Sequence, residues 1–301
     1  MRRRISGVLL LDKPARISSN HALQAVKRIY RAEKAGHAGT LDPLASGLLP
    51  VLLGEATRFS GYLLDADKQY DAEIRLGITT RTGDAEGEVL KEQPVSVEAV
   101  RLAEVLRGFV GTGTQIPPMY SALKRDGTAL YVLARRGETV ERAPRTIRIT
   151  DLQLAAFDGE RLAIKVTCSK GTYIRTLAED IGAALGCGAH LSGLRRTRAG
   201  SLAIEDASPL ETLASMSDAA LDALLKPVDG VLGQLPRVDL GEPLATRFCH
   251  GQSLMLASVP GGVCRAYGPD GRFLGLGEAG GEGQLTPKRL LGQVTQGLPT
   301  G

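Results

Sequence analysis

The sequence predicts an α+β protein with a large N-terminal domain and a small C-terminal β-domain. Segments such as 68–77 and 161–168 alternate apolar and polar residues, as half-exposed strands do. In 174–185 the apolar residues instead recur every three or four positions, which indicates an amphipathic helix. Beyond residue 235 the chain becomes rich in glycine and in short apolar runs, a composition typical of a small β-barrel or sandwich. We therefore divide the chain into 1–235 and 236–301.

The individual elements follow from these periods and from capping and turn residues. Ser18, Ser19 and Asn20 supply side chains that cap a helix whose apolar positions extend to Tyr30. The paired prolines in 115–124 exclude a regular helix or a central strand there. We predict strands at 7–11, 48–53, 68–77, 145–156, 161–168, 191–204, 253–256, 263–267 and 273–276, and helices at 18–30, 56–65, 97–109, 129–136, 172–185 and 209–226.

Composition excludes several classes of protein. Of the 301 residues, 43% are hydrophobic and 23% are charged, as in soluble globular proteins. No apolar run approaches the roughly 18 residues of a membrane span, and the apolar stretch after Arg2-Arg3-Arg4 is too short for a signal peptide. The four cysteines and the four histidines are scattered, so neither a disulfide framework nor a metal site is expected. We expect a cytoplasmic protein without a membrane partner.

Asp42 is the first candidate for chemistry. It lies in the glycine-rich loop 36–47 and is the only acidic residue between Glu33 and Glu55. A tight loop followed by a buried strand fixes the direction of its side chains, which favours a catalytic carboxylate. The alternative is structural, because Asp followed by Pro is also a common helix start, with Asp as the cap and Pro at the first helical position.

The basic residues are suited to an anionic partner. The net charge is only +4, but lysine and arginine cluster before residue 35, in 124–148 and in 165–198. Such clusters suit the phosphate backbone of a nucleic acid, although solvated helix faces collect the same residues. The stiff segment 115–124 and the basic helix after it are suited either to gripping a nucleic acid or to an ordinary surface connection.

Two further side chains allow a functional interpretation. Tyr70 shares a strand face with Ala72 and Ile74, so it is either a core or interface aromatic or part of a site. Arg175 follows Ile174 at the start of a predicted helix and lies outside the apolar stripe of that helix. A position in the first turn leaves the Arg175 guanidinium free to reach a neighbouring carboxylate.

Five motifs, in order along the chain, resemble those of the TruB family, the bacterial tRNA pseudouridine-55 synthases, from about residue 6 to the end. They are Gly36-His37-Ala38-Gly39-Thr40-Leu41-Asp42-Pro43 with Gly47, the Tyr70 strand, Pro117-Pro118-Met119-Tyr120-Ser121-Ala122, Lys170-Gly171-Thr172-Tyr173-Ile174-Arg175, and Leu194-Arg195-Arg196-Thr197. The resemblance implies a pseudouridine synthase fold in 1–235, a mixed, mostly antiparallel sheet flanked by helices, with an RNA-gripping loop at about 115–145. It implies a PUA-like RNA-binding β-barrel in 236–301.

The same resemblance implies a reaction and its catalytic residues. The uridine at position 55, in the TΨC stem-loop of tRNA, would be flipped out and converted to pseudouridine, its C-glycoside isomer. Asp42 would be the nucleophile, attacking either ribose C1′ or uracil C6, and Arg175 would keep the carboxylate ionised. Tyr70 would stack on the flipped base and take its C5 proton.

The remaining site residues and the partners are implied in the same way. Tyr173 and Leu194 would line the pocket, and His37 would hold the displaced loop nucleotides. No cofactor is needed, because the isomerisation has no redox or energetic demand. Two positions depart from the family pattern: Arg16 stands where a glycine is usual, and Ala38 where a threonine is usual.

Three other functions compete with this interpretation. A non-catalytic RNA-binding or RNA-folding protein would use the same basic surfaces. A glycoside hydrolase would need two carboxylates, and the sequence offers no obvious second one near Asp42. A guide-RNA-dependent enzyme of the dyskerin type is disfavoured by the lack of a long basic tail, so we expect a stand-alone enzyme that needs no guide RNA. A monomer is expected, because no exposed apolar stripe requires a partner.

Overall fold

The structure of the protein, a computed structural model, describes residues 2–292. Most of the predicted strands and helices are present, with bounds shifted by a few residues. The strands of the N-terminal part are β1 (Gly7–Lys13), β2 (Ala35–His37), β3 (Ser46–Leu53), β4 (Lys68–Leu76), β5 (Ile78–Thr80), β6 (Val89–Glu92), β7 (Gly111–Gln115), β8 (Lys124–Arg125), β9 (Thr128–Ala129), β10 (Arg145–Phe157), β11 (Arg161–Cys168), β12 (Ala189–Ala199), β13 (Leu202–Ala203) and β14 (Ser208–Pro209). The helices are α1 (Ser19–Ile29), α2 (Ser60–Leu64), α3 (Ala99–Gly108), α4 (Leu130–Arg135), α5 (Ile174–Leu185), α6 (Leu210–Leu213) and α7 (Asp218–Ala223).

A 10-stranded sheet forms the centre of the N-terminal part. Its strand order is β14-β1-β3-β12-β4-β11-β10-β7, with β2 added to β3 and β13 to β12. The pairs β1–β14 and β3–β12 are parallel. The other pairs are antiparallel. The prediction of a mixed, mostly antiparallel sheet flanked by helices is confirmed.

Strands β1 and β3 are buried on both faces because both are almost continuously apolar. Their alternate residues point to opposite sides, as strand geometry requires. Leu9 and Val51 belong to a core cluster with Val26 of α1, whereas Val8 and Leu48 belong to the cluster on the other side. Each such side chain contributes about 1.5–3 kcal/mol through burial. The site loop before β3 therefore starts from a rigid base.

The other half of the sheet packs against α3 and α5. Strand β4 lies between β11 and β12, and Ile74 of β4 shares a buried cluster with Ile164 of β11 and Leu177 of α5. This packing fixes the N-terminus of α5 beside the sheet. In residues 2–292 we find no helix whose length and apolar character would let it cross a membrane.

Among the predicted elements that differ from the structure, two do so for a clear local reason. The helix predicted at 209–226 is two short helices, α6 and α7, because the Ser217 side chain caps a new helix by accepting from the Ala220 N–H. The strand predicted at 191–204 ends at Ala199, since Gly200 adopts a positive φ of 58° and turns the chain into β13.

A second sheet forms the C-terminal part, which confirms the predicted small β-domain. Its five strands follow the order β15-β17-β18-β19-β16, and one helix packs on them. The elements are β15 (Arg237–Asp239), α8 (Glu242–Cys249), β16 (Leu254–Met255), β17 (Gly262–Tyr267), β18 (Phe273–Ala279) and β19 (Gln284–Leu290). Its own core is built around Phe248, Leu254 and Leu285.

The two sheets also share a core. Tyr267, Phe273 and Leu276 of the C-terminal sheet lie in one buried cluster with Val8 and Phe59 of the N-terminal part. The rings of Phe59 and Phe273 are tilted, with centroids 5.7 Å apart. The division at 235/236 therefore stays a prediction about domains, and the C-terminal part is packed firmly against its neighbour.

Candidate active site

A cavity of about 890 Å³ opens beside β4 and β12. Loops that precede β3 and α5, the start of α1 and the segment 120–123 complete its walls. All six residues singled out from the sequence line this cavity: His37, Asp42, Tyr70, Tyr173, Arg175 and Leu194. The structure thus brings together residues that are up to 157 positions apart in the chain. Their chemical roles stay predictions.

Asp42 lies in an irregular loop that is clamped to the start of α1. The Ser19 hydroxyl accepts a hydrogen bond from the Leu41 N–H and donates to the Leu41 carbonyl, both at 2.8 Å. The Arg16 N–H donates to the Pro43 carbonyl at 2.7 Å. No helix begins after Asp42, because residues 41–45 are irregular and lead into β3. The structural alternative, in which Asp42 caps a helix, is wrong.

Arg175 is the partner of the Asp42 carboxylate. Its Nε donates to Asp42 Oδ2 at 2.9 Å. Its Nη1 and Nη2 donate to the carbonyls of Thr82 and Tyr120 at 3.0 and 2.7 Å. The Arg175 side chain is only 4% exposed, whereas that of Asp42 is 40% exposed. A buried cation therefore fixes a carboxylate whose other oxygen is open to the cavity. The predicted Arg175–carboxylate contact is confirmed.

Asp84 is a second carboxylate that sequence reasoning missed. Its Oδ2 lies 3.6 Å from Arg175 Nε, and its side chain is 6% exposed. The Thr82 hydroxyl donates to Asp84 Oδ1 at 2.5 Å, and the Glu86 N–H donates to the same oxygen at 3.1 Å. The expectation that no second carboxylate lies near Asp42 is wrong. Partial burial, with Asp84 and Asp42 nearby, also raises the pKa of Glu86.

Asp84 was missed because its turn carries no periodic pattern. The segment after β5 contains Thr, Gly and Asp, which read as an ordinary exposed turn. Tertiary packing buries the turn against β12, where the Leu191 N–H donates to the Gly83 carbonyl at 3.0 Å and the Leu191 carbonyl accepts from the Ala85 N–H at 2.9 Å. The only sequence signal is an acidic residue held between turn residues, and such turns are common on protein surfaces.

Tyr70 and His37 are both half-buried, and the charge of the buried Arg196 acts on each of them. Tyr70 is opposite Arg196 in the β4–β12 register. Burial raises the pKa of Tyr70 above its usual value, and the charge of Arg196 opposes part of that rise. Burial and the same charge lower the pKa of His37, so its imidazole is neutral at pH 7. His37 Nδ1 has no hydrogen-bond partner within residues 2–292.

Buried cations make one wall of the cavity positive. Arg196 is 1% exposed and donates to the carbonyls of Leu48 and Gly39 at 2.7 and 2.9 Å. Burial lowers the pKa of Lys68, which lines the cavity, to about 8. Burial also lowers the pKa of Lys13, which is 0% exposed, to about 8. A group of three or more metal-ligating side chains is not found within residues 2–292.

Comparison with protein families accounts for almost the whole chain. Residues 27–174 match the TruB family pseudouridylate synthase (N terminal domain). Residues 175–233 match the tRNA pseudouridylate synthase B C-terminal domain, and residues 236–291 match pseudouridine synthase II TruB, C-terminal. The chain belongs to the TruB family. It is therefore an enzyme, a pseudouridine synthase of the isomerase class, and the resemblance drawn from the five motifs is confirmed.

Individual relatives agree over their full length. The chain is 54% identical to a tRNA pseudouridine synthase B of Burkholderia mallei over 297 residues, which span 96% of this chain and 98% of the relative. It is 51% identical to the tRNA pseudouridine synthase B of Stutzerimonas stutzeri over 296 residues, 97% of each chain. Among solved structures it is similar to a chain of a Cbf5-Nop10-Gar1 complex, with a TM-score of 0.72 and 28% identity, covering 91% of this chain and 78% of the other.

The two departures from the TruB pattern leave the site intact. Arg16, at a position where glycine is usual, keeps a left-handed backbone with φ of 67°. That conformation costs a residue other than glycine about 1–3 kcal/mol, so the turn is preserved at the expense of strain. Ala38 is 1% exposed and lies in the core cluster beneath the loop, away from the carboxylate.

Proposed function

We propose that this TruB-family enzyme converts the uridine at position 55, in the TΨC loop of tRNA, to pseudouridine with Asp42 as the nucleophile. The observation that carries the proposal is the solvent-open Asp42 carboxylate, held by the buried Arg175 in a cavity of about 890 Å³. A cavity of that volume lies within the roughly 300–1,000 Å³ range of small-ligand sites. The names of the relatives, all tRNA pseudouridine synthase B, support tRNA as the substrate.

The reaction begins when the target nucleotide leaves the stacked loop. Flipping costs a few kcal/mol, which stacking on aromatic side chains and contacts to phosphates offset. Tyr70, Tyr173 and Leu194 surround the position of the base, and all three are half-buried in the cavity. The neutral imidazole of His37 is suited to holding the displaced loop nucleotides.

Asp42 then attacks as a carboxylate. Attack at ribose C1′ breaks the bond from C1′ to uracil N1, whereas attack at uracil C6 forms a covalent adduct with the base, in which the C1′–N1 bond then breaks. In either course the base turns, C5 bonds to C1′, Asp42 is released, and the C5 proton is exchanged for a proton on N1. Arg175 orients the carboxylate for this attack through the 2.9 Å contact from its Nε to Asp42 Oδ2.

Tyr70 stacks on the base and lies where the C5 proton departs. The raised pKa keeps the Tyr70 phenol protonated at neutral pH, which leaves little of the basic form, so stacking is its main contribution. Arg196, opposite Tyr70 in the strand register, offsets part of that rise.

The wider surface is suited to gripping the RNA. Segment 115–145 contributes Tyr131 and Arg135 of α4 to the cavity rim, with the Arg135 guanidinium 5.5 Å from the centre of the Tyr131 ring. An exposed aromatic ring with an arginine over it suits an unstacked base and its phosphate. The PUA-like part, 236–301, docks on the tRNA away from the reacting base. The enzyme acts in the cytoplasm as a monomer, without a guide RNA or a cofactor.

Asp84 requires the glycoside hydrolase alternative to be considered again, because it is a second carboxylate near Asp42. The mechanism of a glycoside hydrolase requires two carboxylates that flank an exposed bond. Both oxygens of Asp84 are committed, Oδ1 to Thr82 and to the Glu86 N–H and Oδ2 to the Arg175 charge, and the side chain is almost wholly buried. Asp84 therefore supports Arg175, and the isomerase is the better fit.

The decisive experiment measures tritium release from a tRNA transcript labelled at uridine C5, with wild type and Asp42→Asn. We expect release by wild type alone, at the stoichiometry of one uridine per tRNA, while both proteins bind tRNA equally. A transcript whose position 55 is cytidine serves as the control for position. Release by Asp42→Asn at the wild-type rate would refute the nucleophile assignment, and release from the control transcript would refute the position.

A further inference from the structure

We propose that the Ser121 hydroxyl is a substrate-binding group that hydrogen-bonds the polar edge of the flipped uracil. The inference rests on the proposed function, because it takes a uridine nucleotide as the occupant of the cavity. It concerns a residue for which neither the reaction nor the sequence motifs define a role.

The first observation is an unpaired hydroxyl inside the cavity wall. Ser121 is 5% exposed and lines the cavity. Its Oγ has no hydrogen-bond partner within residues 2–292. Burial raises the pKa of Tyr173, and a weak contact with the Ser121 hydroxyl lowers it in part; that contact falls outside hydrogen-bond geometry, so a substrate group with better geometry can replace it. Buried polar groups without a partner are rare in folded proteins, so a ligand in the cavity is the natural partner.

The second observation is that Ser121 is held rigidly with respect to Asp42. The Ser121 N–H donates to the Met119 carbonyl at 2.9 Å, and its carbonyl accepts from the Tyr131 N–H at 3.1 Å. The carbonyl of the preceding residue, Tyr120, is bound by Arg175, the same guanidinium that holds Asp42. The hydroxyl and the nucleophile are thus two fixed points of one network.

The third observation is that both backbone groups of Tyr173, in the facing loop, are already bound. Gln115 is 5% exposed, and its side-chain amide binds both backbone groups of Tyr173. Its Nε2 donates to the Tyr173 carbonyl at 3.2 Å, and its Oε1 accepts from the Tyr173 N–H at 3.0 Å. On this side Tyr173 therefore offers the base no free backbone group, and the Ser121 hydroxyl is a buried polar atom still without a partner within residues 2–292.

A hydroxyl suits this reaction because the base presents different edges before and after it turns. Uracil offers carbonyl acceptors and an N3–H donor, and the isomerised base offers an additional N1–H. A serine hydroxyl rotates and can donate or accept. One residue can therefore hold both orientations of the base without moving the backbone.

The test compares Ser121→Ala with Thr176→Val, using the tRNA transcript tritiated at uridine C5. Thr176 in α5 is a matched control, because its Oγ1 is also buried without a partner within residues 2–292 but does not line the cavity. Loss of a hydrogen bond to the substrate should lower kcat/KM of Ser121→Ala by about 10- to 100-fold. The dissociation constant for tRNA should stay within twofold, and Thr176→Val should keep the wild-type rate.

Melting temperatures separate this role from a structural one. Deleting an unpartnered hydroxyl removes no protein hydrogen bond, so Ser121→Ala should melt at or above the wild-type temperature. A kcat/KM within twofold of wild type, or a loss of folding in Ser121→Ala, would overturn the inference. Asp42→Asn is assayed in parallel: if it is inactive while Ser121→Ala is fully active, only the Ser121 assignment fails, whereas an active Asp42→Asn removes the proposed mechanism itself.

Discussion

The Arg175 guanidinium joins three stretches of chain that are distant in sequence. Its three nitrogens bind Asp42, the Thr82 carbonyl and the Tyr120 carbonyl, and Asp84 lies beside Nε. A planar fork with five donors in fixed directions can satisfy such a set, whereas a lysine offers a single ammonium. The residue therefore fixes the position of the nucleophile and, through Tyr120, one wall of the cavity.

Arg175→Lys should separate charge from geometry. The variant keeps a cation but loses the directed bonds to Asp42 and to the carbonyls, so we expect kcat to fall by about 100-fold or more. The tRNA dissociation constant should change by less than threefold, because Arg175 is buried. Single-turnover tritium release and filter binding measure the two quantities.

Arg195→Lys is the matched control for that experiment. Arg195 also forms a two-pronged pair with a carboxylate, Asp12, at 3.1 and 2.7 Å, but it does not line the cavity. Its replacement should leave kcat within twofold. An Arg175→Lys enzyme with a wild-type rate, or an equal loss in both variants, would contradict the positioning role.

The sequence predicts only part of the site: it reveals residues marked by a local pattern, but not contacts that depend on tertiary packing. Arg175 was predicted because the helical period excludes it from the apolar stripe of its helix. The contacts of Thr82, Asp84 and Tyr120 could not be predicted, since they depend on how irregular segments pack over long distances. That the Ser121 hydroxyl has no partner within residues 2–292 could not be predicted either, since it depends on where the neighbouring backbone lies.

At the scale of elements, the start of β3 determines how closely β3 approaches β12, the strand that joins the two halves of the sheet. Gly47 has a φ of 100° and pairs in parallel with Arg196 of β12. A Cβ at Gly47 would lie 2.3 Å from the Arg196 carbonyl oxygen and 2.8 Å from its nitrogen. Only glycine permits this close approach of two backbones. The approach also places Arg196 behind the catalytic loop.

Gly47→Ala should therefore destabilise the fold by about 3 kcal/mol, from the left-handed backbone and from the clash. Gly61→Ala is the control, because Gly61 lies in α2 with nothing within 4 Å of its would-be Cβ. That change should be neutral or stabilising by about 0.5–1 kcal/mol. Urea unfolding of both variants measures the difference. Equal stability of the two would show that β3 can shift to accept a side chain.

The strands themselves were predictable because alternation is a local property. Residues 161–168 were predicted as a strand and form β11 with the same bounds. The order of strands was not contained in that pattern, since β12 enters between β3 and β4 after more than 100 intervening residues. The break between α6 and α7 was missed because a serine cap competes with a continuing helical period.

At the scale of the whole molecule, the C-terminal sheet is packed on the synthase domain through a shared core. Phe273 is 7% exposed and contacts both Phe59, across the boundary, and Tyr267, with ring centroids 5.7 and 5.6 Å apart. The Tyr267 hydroxyl donates to Asp229 at 2.9 Å. The glycine-rich composition beyond residue 235 predicts a separate C-terminal part. It does not predict that this part shares a core with the N-terminal part.

The shared core predicts that the two parts unfold together. Calorimetry of wild type should give one transition, and Phe273→Ala should lower its midpoint by roughly 5–15 °C, as expected for a loss of about 3–5 kcal/mol in a chain of this size. Met255→Ala, at a position 66% exposed in the same sheet, should leave the midpoint unchanged. Two separate transitions in wild type, or a Phe273→Ala change confined to one of them, would mean that the parts fold independently. In that case deletion after Gly233 would leave a stable synthase domain, and any loss of tRNA affinity in the deleted protein would report RNA contacts alone.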